Sequence, residues 1–257
     1  MTTMLTGFVQ GKVIDYKQWT NNEFSITVKA NIAPYLAGQF TKLALKDNNG
    51  DWQRRAYSFV NSPNHRLGKN CLEFLIIDVS SGDLSPKLAQ LQLGDEVYVG
   101  EKPSGFMTLN EIPETATELW LLSTGTAIGP FLSLLSEHES KIRFKKLVLV
   151  HAVRTSQELV YQELIANLQQ EYRGKLTYIP IVSQEKHQHI LSGRIPALLR
   201  DGRLMQAANL FPDKHNSFFY LCGNPAMVHD TRDVLLALGF AKHLRRSKGH
   251  FSFENYW

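Results

Sequence analysis

Two stretches of the chain set a glycine-bounded turn between an apolar run and a helical pattern. The first is Ser123-Thr124-Gly125-Thr126-Ala127-Ile128-Gly129-Pro130, between ELWLLST and PFLSLLSEHES. Gly125 and Gly129 allow close backbone approach, and Pro130 suits a first helical turn. Free amides at such a turn would hold a phosphate or pyrophosphate, with Thr126 capping the helix or touching the ligand. The spacing is neither GxGxxG nor the GK[ST] of a Walker loop, so a plain tight turn fits equally. The second is Leu221-Cys222-Gly223-Asn224-Pro225-Ala226-Met227, where the apolar SFFYL delivers Cys222 to a strand end. A nucleophilic cysteine would need a base, and none stands near it in the sequence; a buried, inert cysteine is the other reading.

Arg54-Arg55-Ala56-Tyr57-Ser58 offers a guanidinium fork for phosphate oxygens, a ring for stacking and a hydroxyl for one hydrogen bond. An ordinary strand with a charged approach reads the same way. Ser80-Ser81-Gly82-Asp83-Leu84-Ser85-Pro86 enters a short helical pattern, with Ser85 as candidate cap and its amides as a second pyrophosphate site. The C-terminal Phe251-Ser252-Phe253-Glu254-Asn255-Tyr256-Trp257 is rich in aromatics and must pack. It either completes a core or covers a flat ligand, with Glu254 as an acidic group. The basic run Lys242 to Lys248, with Arg245 and Arg246, fits an acidic protein partner and is weak as a nucleic-acid signal. No histidine falls in HExxH, and His187 and His189 lack further ligands, so no metal site is expected. Cys71 and Cys222 make no zinc spacing, and GxSxG is absent.

Elements must bring these residues together. The 257 residues allow one or two domains at about 150 residues each. Hydrophobic residues at 43% and charged residues at 20% are globular proportions. Residues 5–105 read as short strands: TGFVQGKVIDYK, EFSITVKA, QFTKLAL, AYSFV, CLEFLIIDV and DEVYVG, with SPKLAQL as a short helix. That rhythm predicts a barrel or sandwich. From residue 118 strands alternate with helices, the longest spanning SQELVYQELIANLQQEY, which predicts a mostly parallel sheet covered on both faces. The boundary is expected near residues 103–117, around Pro103, Gly105 and Pro113. Ligands collect at the carboxyl ends of such strands and between domains. No run of about 18 uncharged apolar residues exists, and neither a signal peptide nor a lipidation motif is recognised, so a cytoplasmic location is the default. The net charge of +4 permits an acidic partner without demanding nucleic acid.

Taken together, RAYS at 55–58, GDLSPKL at 82–88, GTAIGP at 125–130, HAVR at 151–154, GRIP at 193–196, CGNPAM at 222–227 and the ENYW ending resemble the flavin-dependent ferredoxin–NADP reductase family, in its bacterial flavodoxin/ferredoxin-reducing branch. The resemblance implies two domains: a six-stranded antiparallel β-barrel for FAD at 1–106 and a doubly wound parallel-sheet α/β domain for NADP(H) at 107–257. It implies that Arg55, Ala56, Tyr57 and Ser58 meet the flavin, Arg55 toward the pyrophosphate. Leu75, Ile76 and Ile77 would run beside it, and Gly82, Asp83, Leu84 and Ser85 would bind its phosphates through amides. Thr126 would stand between flavin and nicotinamide. Arg154, Ser183, Gln184 and Arg194 would face NADP. Trp257 would pack near the adenine with Tyr256 beside it. Ser58, Cys222 and Glu254 would surround the reacting pair, Cys222 without becoming a covalent nucleophile. One departure stands out: relatives carry an arginine for the 2′-phosphate where this chain has Gln184, a neutral amide. Hydride would pass between nicotinamide and flavin N5, and single electrons between flavin and ferredoxin or flavodoxin. The expected protein is a monomer. Alternatives are a reductase of free flavin or quinone, and a non-catalytic flavin-binding electron-transfer subunit.

Overall fold

The computed structural model describes residues 5–188, 190–244 and 246–256. In the first half, each strand ends within five to eleven residues at a turn, so neighbouring strands pair antiparallel. The elements are β1 (Phe8–Gln18), β2 (Glu23–Lys29), β3 (Phe40–Lys46), β4 (Trp52–Ser58), β5 (Cys71–Ile77), the single-turn α1 (Ser85–Leu88) and β6 (Glu96–Gly100). They form one six-stranded antiparallel sheet in the order β4-β3-β6-β1-β2-β5. The residues after β4 fold the sheet onto itself: Phe59 bridges Phe74, and the Val60 amide donates to Glu73 O at 2.9 Å. Phe24, Ile26, Val28, Leu43, Phe74, Val97 and Val99 fill the interior and are wholly inaccessible.

Two expectations need correction here. The arginines do not precede their strand; β4 starts at Trp52 and pairs with β3 from Lys46↔Trp52 to Phe40↔Ser58, so Arg54 and Arg55 lie within it. Ser85 is not a helix cap either. Its Oγ accepts the Val79 amide at 3.1 Å, which ties the loop behind the helix, and no side chain caps α1.

The second half runs β7 (Glu118–Thr124), α2 (Gly129–Leu135), α3 (His138–Arg143), β8 (Lys146–Val153), α4 (Gln162–Glu171), β9 (Leu176–Val182), β10 (Leu191–Ser192), α5 (Ile195–Arg200), α6 (Arg203–Ala208), β11 (Ser217–Gly223), α7 (Pro225–Ala237) and β12 (Phe251–Asn255). Its strands form a six-stranded parallel sheet in the order β10-β9-β8-β7-β11-β12. The order reverses beside β7, which places a topological switch point at the end of that strand. Near-continuous apolar strands follow from burial on both faces. All seven residues of β11 are buried.

The long helix expected from residue 156 starts only at Gln162. Tyr161 takes a left-handed backbone, φ 59°, and breaks it. Tertiary contacts hold that conformation: the ring lies 4.5 Å from Trp19, and the hydroxyl donates to Glu73 Oε1 at 2.6 Å. PFLSLLSEHES divides into α2 and α3 because Ser136 Oγ bonds back to Leu132 O at 2.8 Å and Glu137 is extended. The aromatic tail forms β12 along the edge of the parallel sheet.

The two halves share a core. Val60, Leu75 and Met107 pack in one cluster with Leu121, Ile128, Phe131 and Cys222. The connection between Gly100 and Glu118 is pinned by Arg143, whose guanidinium donates to the carbonyls of Leu109 at 2.7 Å and Ile112 at 2.6 Å. Among the described residues, no helix is long and apolar enough to cross a membrane.

Candidate functional site

The strands β7, β8, β9 and β11 end on one edge, opposite the barrel. A cavity of about 430 Å³ opens there, lined by Gly125, Thr126, Arg154, Ser183 and Arg194 from the parallel sheet and by Glu23 and Ile77 from the barrel. Its size lies in the range of small-molecule and cofactor sites. Gly125 has φ +53°, and a Cβ added there would meet open space, so the backbone of this turn faces the cavity bare. No side chain caps the turn: Thr124 Oγ1 accepts the Asn224 amide at 2.9 Å instead. The α7 turn differs, because Asn224 Oδ1 already takes the Ala226 amide at 3.0 Å and the Met227 amide at 3.4 Å. Free amides for an anion therefore belong to the Gly125 turn.

His151 lies directly behind this turn, fully buried. Its Nε2 is 3.1 Å from Gly125 O; the carbonyl can only accept, so the imidazole carries its proton there. Nδ1 has no partner. Burial holds the ring neutral, with its pKa down at about 4. Arg154 Nε pairs with Glu158 Oε1 at 3.1 Å on the cavity wall. Gln184 is exposed, and its backbone N–H donates to Arg154 O at 2.9 Å. Ser183 Oγ bonds Val153 O at 3.2 Å.

At the junction of the two halves, Ser58, Cys222, Glu254 and Tyr256 converge from three stretches of chain. Cys222 and Glu254 are register partners in β11 and β12. Gly223 closes the strand with φ +137°, where a Cβ would stand 2.0 Å from Thr124 Oγ1. Glu254 Oε1 accepts the Phe106 amide at 3.1 Å. The Tyr256 amide donates to Gly223 O at 2.9 Å, and its side chain lies close to both Ser58 and Cys222. Burial, then the charge of Glu254, pushes the Cys222 thiol well above its ordinary range. A thiol held neutral is a poor nucleophile, so Cys222 is suited to contact and not to attack. Burial also raises the Glu254 carboxyl, against amide donation from Phe106 and Met107.

On the barrel side, Arg55 reaches Asp83 at 3.2 Å, joining the RAYS strand to the GDLS loop. Tyr57 is half-buried, and burial pushes its phenol up to about 12. Ala56 is exposed, and Leu75 belongs to the core shared by the two halves. Two residues turn away: Ile76 and Leu84 point into the barrel interior, each 1% exposed, leaving only their backbone for a ligand. A further Cβ on Gly82 would meet Val79 O at 3.0 Å, so the loop is tight there. Trp257, Arg245 and His189 lie outside the described residues.

The residues fit the two groups the resemblance implies. Two guanidiniums and an uncapped, bare-backboned turn line the cavity, with the carboxyls of Glu23, Glu158 and Asp230, and could hold phosphate groups. A half-buried ring at Tyr57, the Ser58 hydroxyl and the Arg55–Asp83 loop offer a flat apolar surface with a charged end. Glu23, Thr124, His151 and Asn224 were not singled out as site residues in the sequence. The sequence signal for Glu23 is a carboxyl opening the strand candidate EFSITVKA; only the structure shows that position buried.

Comparisons with known proteins agree with this geometry. Residues 121–233 match the oxidoreductase NAD-binding domain family. The flavodoxin/ferredoxin–NADP reductase of Escherichia coli (strain K12) is 46% identical over 254 residues, covering 98% of this chain and 100% of that one. Its counterpart in Buchnera aphidicola subsp. Baizongia pistaciae is 45% identical over 251 residues, covering 97% and 99%. A solved ferredoxin NADP+ reductase from Neisseria gonorrhoeae, with bound FAD and NADP, superposes with a TM-score of 0.89 at 29% identity, covering 98% and 99%. A closed antiparallel sheet, a parallel sheet with its switch point at a bare glycine turn, and full-length similarity above 40% identity lead to one conclusion: the chain belongs to the flavodoxin/ferredoxin–NADP reductase family.

Proposed function

We propose that this chain is a FAD-dependent oxidoreductase that exchanges electrons between NADP(H) and ferredoxin or flavodoxin, running from NADPH to the carrier in the cytoplasm. The observation that carries this reading is the convergence of Ser58, Cys222, Glu254 and Tyr256 beside the dinucleotide-sized cavity. The barrel, residues 1–106, holds the flavin, and residues 107–257 hold the dinucleotide.

Bound FAD supplies chemistry no side chain offers, accepting a hydride and releasing electrons singly. The chain supplies position and polarity. Arg55 and the loop at Gly82–Ser85 orient the flavin phosphates. Arg154, Arg194 and the Gly125 amides hold the dinucleotide phosphates, and His151 fixes the Gly125 carbonyl so that the turn keeps its shape. Cys222 bounds the nicotinamide side as a neutral thiol. Ser58 donates a hydrogen bond at the flavin edge, and Glu254 closes the polar end of the junction. Tyr256 stands beside Ser58 and Cys222 and helps to enclose the junction. The protein acts as a monomer and takes no nucleic acid.

The test is a visible spectrum of the purified protein during anaerobic titration with NADPH, repeated with NADH. The expected result is a flavin band that bleaches with NADPH at a much lower concentration. Equal response to NADH keeps the flavoenzyme and overturns the NADPH preference. Protein that carries no flavin and binds none when FAD is added overturns the reading.

A further inference from the structure

Glu23 opens β2 on the barrel side of the dinucleotide cavity and is 3% exposed. Its Oε2 is buried without a hydrogen-bond partner. The groups that face it come from three directions. Across the cavity stand Arg154 and Glu158, already joined to each other: Glu158 Oε1 takes the guanidinium and Oε2 takes the Arg154 amide, both at 3.1 Å. From β5 come its register partner Ile77, which is apolar, and next to it Asp78, whose amide donates to Asn22 O at 2.7 Å. From the end of β1 come the uncharged Trp19 and Thr20, whose amides bond Glu23 O. Arg194 and Asp230 line the same cavity from the α5 and α7 sides.

Arg154 is thus met by Glu158, and among the described residues no ion pair engages Glu23. A buried carboxyl in that position favours its neutral form. Burial, then Glu158, raises it to about 7, with Arg154 opposing. A dinucleotide phosphate brought into this cavity adds further negative charge and favours the proton more strongly.

We propose that Glu23 sets dinucleotide affinity: as the neutral acid it donates a hydrogen bond toward the bound anion, and its ionisation repels that anion. This rests on the cavity being the dinucleotide site. By linkage, dinucleotide binding at alkaline pH takes up a proton from solvent onto Glu23, and affinity falls as pH rises. The proton stays on the carboxyl and takes no part in electron transfer. The effect is peculiar to an acid at this position; a leucine or glutamine there would bind the anion with no proton uptake.

The test is isothermal titration of NADP+ into the flavin-loaded protein between about pH 7 and pH 9, where the 2′-phosphate, with a second pKa of about 6, is already ionised. Two buffers of different ionisation enthalpy give the number of protons taken up. Wild type is expected to take up a fraction of a proton, and its Kd to weaken roughly 3- to 10-fold across the window. Glu23→Gln and Glu23→Leu are expected to remove the uptake and to hold Kd constant within about twofold. Uptake and pH dependence that persist in both variants overturn the proposal and leave the cavity reading standing. Absence of saturable NADP+ binding by wild type at any pH overturns the cavity reading itself.

Discussion

Cys222 is fully buried at the end of β11, its thiol held neutral by burial and by the charge of Glu254. It cannot serve as an ionised nucleophile, so on the proposed reading its contribution is shape. Replacing it with serine should then keep flavin and fold but misplace the nicotinamide. Stopped-flow measurement should show hydride transfer slowed by about 10- to 100-fold, since small errors of position cost that much. The wild-type thiol should also resist alkylation in the folded protein. His151 makes a pH prediction. Its folded pKa, about 4, lies below the ordinary histidine value, so the fold binds fewer protons there than the unfolded chain. Its contribution is fully present above about pH 6.5 and is lost as pH falls through about 4, amounting to roughly 3 kcal/mol at the extreme. His151→Gln, which retains an N–H donor for Gly125, should show a shallower loss of Tm between those pH values than wild type. Both residues were legible to different degrees. Cys222 announced itself by ending an apolar run. His151 sits inside HAVR as one more strand residue, and only the fold puts the Gly125 carbonyl 3.1 Å from its ring.

At the scale of elements, the informative departures from the sequence pattern are places where one half of the chain grips the other. Local periodicity continues the α4 pattern back to residue 156. The helix stops at Tyr161 because that ring is wedged against Trp19 and its hydroxyl is bound by Glu73 of the barrel. A contact across 88 residues outweighs helix propensity, which is worth well under about 1 kcal/mol per residue. Tyr161→Phe should leave Glu73, already raised by burial, short of a donor. Denaturant unfolding should show a loss of about 1–3 kcal/mol, the cost of stranding a buried polar group. A loss within error of zero would mean that the latch contributes nothing. The tail makes the same point from the other side. Its aromatic content says that it packs, but its parallel pairing with β11 is what sets Glu254 beside Cys222.

Across the whole molecule, the proposed encounter with an acidic carrier makes a prediction from net charge. The net charge is +4, and Lys242, Arg246 and Lys248 stand near the end that leads into β12. An acidic protein approaching that side would be steered, and salt would screen the steering beyond about 10 Å at 0.1 M. Raising ionic strength from about 10 mM to 500 mM should lower kcat/KM for ferredoxin or flavodoxin by roughly tenfold or more, while reduction of a neutral dye changes little. Equal slowing of both would place the effect in the enzyme and not in the encounter.

Residue order alone carries the kind of each unit and the kind of chemistry at its edges. β7 and β11 fall on their expected residues, Glu118–Thr124 and Ser217–Gly223, because buried parallel strands are continuous apolar runs with glycine turns after them. The phosphate-type turn at Gly125 and the arginine at 55 are legible as residue types, whereas Arg154 and Arg194 stand out only through the family resemblance. The tertiary structure alone decided which groups meet. Ser58 and Tyr256 are far apart in the chain, yet come together; Ile76 and Leu84 face the barrel interior. Glu23 shows the reason most plainly. Propensity and periodicity are local properties, whereas a carboxyl's protonation and its access to a ligand depend on the charges and solvent that packing brings to it or takes away.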